Sequence, residues 1–205
     1  MTDVPPIHWY HVYRNIKKVK LEFTEADVEG FYQQDKALID EVCRLTSPGE
    51  KVLEAGCGLC RASFVLAKHR QRDVTAIDID DSLLQVARRN QKVLGSSITI
   101  QKADASSLAG IFEKQEFVVA FSGGVLEHYT DDAIIKILKE ELRVAQYVVF
   151  TVPIGSKRNE KYFNDSIFRR LLPPKEWQRI LEGFNVKKFE KIRSRHEDLL
   201  ITLES

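Results

Sequence analysis

The sequence predicts an α/β protein: a mostly parallel sheet with helices on both faces, an N-terminal helical cap before it and an antiparallel finish. Three observations predict this. Short apolar runs at residues 51–54, 73–78, 97–101, 116–121 and 146–152 alternate with longer stretches of helical periodicity. The first run stops on an acid and turns at once glycine-rich, KVLEAGCGLC. The last two β-rich runs, 185–192 and 198–203, are joined by residues 193–197 alone, too few for a helical crossover, so they must pair antiparallel.

A chain of 205 residues fits one domain, here 1–205, with residues 1–48 as a cap or lid segment packed on it and no linker composition to mark a boundary. Lysine plus arginine (31) nearly cancel aspartate plus glutamate (30), so at net +1 no global field draws the protein to nucleic acid or to a membrane surface. No apolar run approaches the ~20 residues that cross a bilayer. The opening MTDVPPIHWY lacks the apolar core of a signal peptide, and the three cysteines, Cys43, Cys57 and Cys60, are sparse. The expected location is cytoplasmic.

The first 24 residues follow Pro5-Pro6 with a cluster of rings, His8, Trp9, Tyr10, His11 and Tyr13. Such a segment packs over the domain edge, or serves as a lid whose aromatic faces cover a cationic ligand and exclude water, with Tyr10 and Tyr13 as the contacts. From Glu25 to Leu45, Phe31, Leu38, Val42 and Leu45 recur at helical spacing, and Ser47-Pro48-Gly49 ends the helix. Lys51 to Glu54 then reads as a buried strand, Gly56 and Gly58 as a sharp turn, and Leu59 to His69 as a helix whose first N–H groups face that turn.

The turn's spacing narrows its ligand. A GxGxxG dinucleotide turn needs a third glycine for close helix–strand packing, and Arg61 stands there; no GxxxxGK[ST] occurs anywhere. Cys57 and Cys60 form a CxxC, but a zinc site wants four ligands, and a redox reading leaves Gly56, Gly58 and the later acids unexplained. What remains is Glu54, two residues ahead of Gly56, followed by Gly58. Here the chain resembles the class I S-adenosylmethionine-dependent methyltransferases, whose first motif reads E/DxGxGxG, with Cys60 in place of the third glycine. The resemblance implies a Rossmann-like seven-stranded sheet with one antiparallel C-terminal strand. It also implies S-adenosyl-L-methionine as cofactor, S-adenosyl-L-homocysteine as product, and cofactor contacts at Glu54, Gly56, Cys57 and Gly58.

Asp73 to Asp78 is the second strand, and its terminal acid lies 20 residues after Gly58, the separation at which a strand-end carboxylate meets a ribose and accepts from both hydroxyls. Ile79 is the apolar contact for an adenine face. Asp80 or Asp81 can cap the next helix, Ser82 to Leu94. Ser97 to Gln101 is the third strand. After it, Asp104 occupies the place that accepts from the adenine amino group in the resembled family, with Ala105 beside it; the alternative is a cap on a short helical turn at 106–108.

Glu116 to Phe121 breaks into Ser122-Gly123-Gly124, again a mark of close backbone approach, and places Ser122 and Gly123 at the cofactor. Family members that modify nucleobase amino groups carry [D/N]PP[Y/F/W] there, so this chain argues against a nucleic-acid substrate. The Val125-Leu126-Glu127-His128 run resembles the branch acting mostly on small molecules. His128 is the candidate general base, against the plainer reading of a structural histidine. Asp131 to Val144 reads as a helix with Ile134, Ile135, Leu138 and Leu142 inward, and Gln146 to Val152 as the fifth strand. Ile154 to Pro174 lacks periodicity and carries positive charge that suits a carboxylate or phosphate, or simply solvent. Lys175 to Leu181 is a short helix ended by Gly183.

The expected reaction is methyl transfer to a small-molecule acceptor. Two alternatives keep the fold, a protein or peptide acceptor and a silent cofactor-binding scaffold, and a third is an NAD-dependent oxidoreductase.

Overall fold

The computed structural model describes residues 9–16, 19–193 and 196–205, so His8 and the Pro5-Pro6 pair lie outside the described residues. The strands are β1 (Lys51–Ala55), β2 (Asp73–Asp78), β3 (Thr99–Lys102), β4 (Phe117–Gly123), β5 (Ala145–Pro153), β6 (Asn185–Arg193) and β7 (Glu197–Glu204). They form one sheet in the order β3-β2-β1-β4-β5-β7-β6. The first five run parallel, and β7 lies between β5 and β6, antiparallel to both. The seven-stranded mixed sheet read from the sequence is the one observed.

The helices are α1 (Trp9–His11), which runs into a π-helical turn at Val12–Ile16, then α2 (Glu25–Leu45), α3 (Arg61–Arg70), α4 (Asp81–Leu94), α5 (Asp131–Val144), α6 (Lys157–Tyr162) and α7 (Pro174–Ile180). They cover both faces because alternate residues of each buried strand point opposite ways. Val52, Val119 and Phe121 pack toward Leu38, Val42, Phe64 and Leu84 of α2, α3 and α4. Leu53, Ala120 and Phe150 pack toward Ile134 and Leu138 of α5 and Trp177 of α7. The order of strands reverses direction between β1 and β4, and a crevice opens at the carboxyl ends of the strands at such a reversal.

Glu41 fastens α2 to the C-terminal hairpin. Its buried carboxylate receives Arg44 (2.8 Å), Lys188 (2.9 Å) and the Thr202 hydroxyl (2.9 Å). The bonds from Arg44 and its neighbours hold that carboxyl down to about 2.

Four expectations need correction. α3 begins at Arg61 rather than Leu59, because Cys60 takes a left-handed backbone (φ 58°) and completes the turn. α5 buries Ile134, Ile137, Leu138, Glu141 and Val144, so its inward stripe is rotated from Ile135 and Leu142. Residues 106–108 form no helix, and the turn there lies at Ala105 and Ser106. The stretch from Ile154 to Pro174 contains α6, which starts where the Ser156 hydroxyl accepts from the Asn159 amide (3.2 Å).

Candidate functional site

The β1–α3 turn is shaped by contacts that the sequence could not display. Gly56 (φ 70°) could carry no side chain, since a Cβ there would lie 2.7 Å from Val125 Cγ2. Gly58 (φ 53°) is crowded by Tyr13, whose hydroxyl would sit 3.0 Å from an added Cβ. The turn is tied to β2 on both sides: the Cys57 amide donates to the Ile77 carbonyl (2.9 Å) and the Gly58 amide to Asp78 Oδ2 (2.8 Å). The other Asp78 oxygen accepts from the Asp80 amide (2.9 Å). Burial pushes the Asp78 carboxyl above its ordinary value, opposed by those two amides. A carboxylate has about four lone-pair sites, so two remain for a ligand.

Glu54, Asp78 and Asp104 all sit at the carboxyl ends of adjacent parallel strands or just past them. They do different things there. Glu54 lies beneath the turn: its Oε2 accepts from the Ser63 amide (3.1 Å) and from the Ser63 hydroxyl, which fastens the first turn of α3. Burial pushes that carboxyl up to about 7. Asp104 is exposed and accepts from the Ser106 amide (2.8 Å), the turn-capping alternative named above. Half-buried Tyr129 stands near Asp104 and Asp78; its hydroxyl is raised by burial first and by these two carboxylates next.

Two cavities open along this edge. The first is lined by Tyr13, Gly56, Gly58, Asp78, Ile79, Ala105, Gly123 and His128 among the residues expected at the site, together with Trp9, Leu83, Ala103, Gly124, Val125 and Tyr129. Its free space is about 80 Å³, because Tyr13 reaches across Gly58. Tyr10, Glu54, Cys57, Asp104 and Ser122 stand behind or beside this lining. The Tyr10 amide donates to Asp80 Oδ2 (3.0 Å), which moors the N-terminal segment to the cap of α4. Cys57 and Cys60 are buried free thiols with sulfurs 3.4 Å apart, and burial raises the Cys57 thiol well above its usual value. Ser122 is buried within β4.

The second cavity is a cleft of about 850 Å³ beyond the ends of β4 and β5. It shares Trp9, Tyr13, Gly123, Gly124 and His128 with the first, so these residues form the partition between the two spaces. The edge of Trp9 meets the His128 ring at 4.6 Å between centroids. His128 Nδ1 donates to the Phe168 carbonyl (2.6 Å), and its Nε2 lies 3.7 Å from Glu127 Oε1. Arg170 holds the overlying segment in place, donating its amide to the Glu127 carbonyl (2.8 Å) and its guanidinium to Tyr129 and Asp131. The rest of the lining carries groups not placed at the site from the sequence: Arg61 at the start of α3, and His196 and Asp198 at the C-terminal hairpin. Asp35, Asp165 and Arg169 also line the cleft, and an HxD pair at a hairpin was the available signal.

Residues 52–146 match a family model described as "Methyltransferase domain". A ribosomal protein L11 methyltransferase of Caldicellulosiruptor bescii is 32% identical over 117 residues, covering 57% of this chain and 38% of that protein. An S-adenosyl-L-methionine-dependent Diels-Alderase, iccD, of Talaromyces variabilis is 39% identical over 66 residues, 31% of this chain and 22% of that one. The chain therefore spans less than half the length of the curated relatives it matches. Among solved structures, the PH0226 protein of Pyrococcus horikoshii superposes with a TM-score of 0.74 at 17% identity, covering 97% and 99% of the two chains. The magnesium protoporphyrin IX methyltransferase ChlM of Synechocystis with bound SAH gives 0.68 at 19%, covering 97% and 93%. At these identities the superpositions establish a common fold.

Proposed function

We propose that the class I S-adenosylmethionine-dependent methyltransferase domain carried by this chain binds S-adenosylmethionine in the crevice above Gly56 and Gly58 and methylates a small molecule in the adjoining cleft. The observation that supports this best is the pair of cavities meeting at one partition of Trp9, Tyr13, Gly123, Gly124 and His128. A two-substrate transfer needs two sites that touch at the reacting atoms.

The residues present fit the cofactor. Asp78 offers two unfilled lone-pair sites to ribose hydroxyls, Ile79 is half exposed (48%) and offers an apolar face to adenine, and Asp104 and Tyr129 stand at the same end. The free space does not yet suffice, since about 80 Å³ is below the ~300 Å³ of small-molecule sites. Binding therefore requires the Trp9 to Tyr13 segment to move off Gly58.

When bound, S-adenosylmethionine supplies a methyl group on a positively charged sulfur, which departs as the neutral thioether of S-adenosylhomocysteine. The chain contributes alignment and exclusion of water, and alignment of two reactants is worth on the order of 7–11 kcal/mol. His128 contributes the base for an oxygen or nitrogen acceptor. With Nδ1–H committed to the Phe168 carbonyl, Nε2 is the proton acceptor, and Glu127 at 3.7 Å favours the imidazolium that results.

Calorimetry with S-adenosylhomocysteine, followed by its release from S-adenosylmethionine with small-metabolite and protein fractions of a cell extract, tests the proposal. Turnover with the small-metabolite fraction is expected. Failure of S-adenosylhomocysteine to bind, with a melting shift from NADH instead, would overturn it. Turnover confined to the protein fraction would support the second reading, a protein side chain as acceptor, which the L11 methyltransferase matches favour.

A further inference from the structure

The far wall of the larger cleft holds a second histidine, in a setting unlike that of His128. His196 stands at the head of β7, and its Nδ1 donates to Asp198 Oδ1 at 2.7 Å. Asp198 is 6% exposed and is positioned by its strand pairing, opposite Pro153 of β5 and Ile192 of β6. Asn159 of α6 locks the neighbouring backbone: its amide nitrogen donates to the Ile154 carbonyl (2.8 Å) and the Glu197 carbonyl (2.5 Å), and its oxygen receives the Glu197 amide (2.8 Å). The rings of Tyr162 and Phe163 each lie 5.1 Å from the His196 ring. Arg193 lines the same cleft and forms no ion pair with a described residue.

We propose that His196, held by Asp198 and joined by Arg193, anchors an anionic oxygen group of the acceptor, a carboxylate on a planar body that Tyr162 and Phe163 flank. This rests on the methyl-transfer reading of the cleft and names the acceptor class for it.

Distance separates an anchor from a base. Gly123 of β4, at the partition, pairs with Thr151 of β5, while Asp198 of β7 pairs with Pro153 on the other side of that same strand. Two strand spacings of about 4.8 Å put β7 about 10 Å from β4, too far for proton transfer at the reacting atom but suited to the opposite end of a small molecule. The ring nitrogens fix the chemistry. Asp198 is a carboxylate and accepts only, so Nδ1 carries the proton of that bond and Nε2 is the ring nitrogen left for a ligand, while the guanidinium of Arg193 on the same cleft is a permanent donor. A neutral amide offers that donor a weaker partner than a carboxylate does.

The test uses the full chain with benzoate as a planar carboxylate probe and benzamide as its neutral counterpart. The His196 ring signal in proton–carbon correlation NMR is assigned by its disappearance in His196→Gln. Benzoate is expected to shift that signal saturably and to bind about tenfold tighter than benzamide, with a similar loss in His196→Gln and in Arg193→Gln. Equal affinity for the two probes, no benzoate-dependent shift, or unchanged benzoate affinity in His196→Gln overturns the proposal. S-adenosylhomocysteine affinity is expected to be unaltered in His196→Gln. Absence of S-adenosylhomocysteine binding in the unmodified protein would remove the methyl-transfer reading and leave the benzoate result standing or falling on its own.

Discussion

Replacing Glu141 with leucine is expected to stabilise this protein, by an amount that grows with pH. Glu141 lies on the inward face of α5 between Ile137, Leu138 and Val144, and is 1% exposed. Neither carboxylate oxygen has a hydrogen-bond partner among the described residues. Burial alone pushes its carboxyl from 4.5 up to about 8, so the folded protein keeps a proton that the unfolded chain releases. A folded-state value above the unfolded one means that stability is full below pH 4.5 and is lost as pH rises through 8. At pH 7 the cost is roughly 3 kcal/mol, from 1.36 kcal/mol for each pH unit between 4.5 and 7. Leucine fills a similar volume without a polar head, so Glu141→Leu should recover about 3 kcal/mol at pH 7 and about 5 above pH 8. Urea unfolding of both proteins from pH 5.5 to 9 reads the difference, whose slope should approach ~1.4 kcal/mol per pH unit and flatten past 8. A difference that stays constant across this range would show that Glu141 does not change protonation on unfolding and would refute the reasoning.

Asp78→Asn should weaken S-adenosylhomocysteine binding by about 1–3 kcal/mol, and unchanged affinity in calorimetry would remove Asp78 from the site. Tyr13→Ala opens the space over Gly58, so cofactor association in stopped flow should quicken; a slower rate would mean that Tyr13 builds the site rather than blocks it. Gly56→Ala combines a φ of 70° with a 2.7 Å contact and should cost about 1–3 kcal/mol. Val125→Ala should restore part of that loss, and strictly additive melting shifts would dissociate the two residues. Glu54→Gln should flatten the fall in stability between pH 4.5 and about 7, since the Glu54 carboxyl too is raised by burial; an unaltered pH profile of thermal unfolding would count against it.

The sheet and the β1–α3 turn were legible because their signals are local. A buried strand, a glycine turn and a carboxylate 20 residues on are all properties of neighbouring sequence, and the Gly58 to Asp78 hydrogen bond spans that same interval. The less legible features are those whose cause lies elsewhere in the chain. Glu41 and Glu141 both occupy inward positions, on α2 and α5, and the local difference is one residue: Arg44 stands three residues after Glu41, Val144 three after Glu141. The rest of the difference is distant, in Lys188 and Thr202, which are 147 and 161 residues from Glu41 and turn its carboxylate into a tie, while Glu141 has no such partner among the described residues. The same holds at the site. Gly56 reads as space left for a ligand, yet the atom nearest its absent Cβ belongs to Val125. His196 reads as a hairpin residue until β7 sets Asp198 beside Pro153 and α6 brings Tyr162 and Phe163 to its ring. Local pattern therefore locates the crevice where the cofactor is expected, whereas the wall that would choose the acceptor is assembled from α2, α6 and the last two strands. That wall exists only after long-range pairing is complete, so substitutions in the β6–β7 hairpin should alter acceptor choice while leaving cofactor affinity intact.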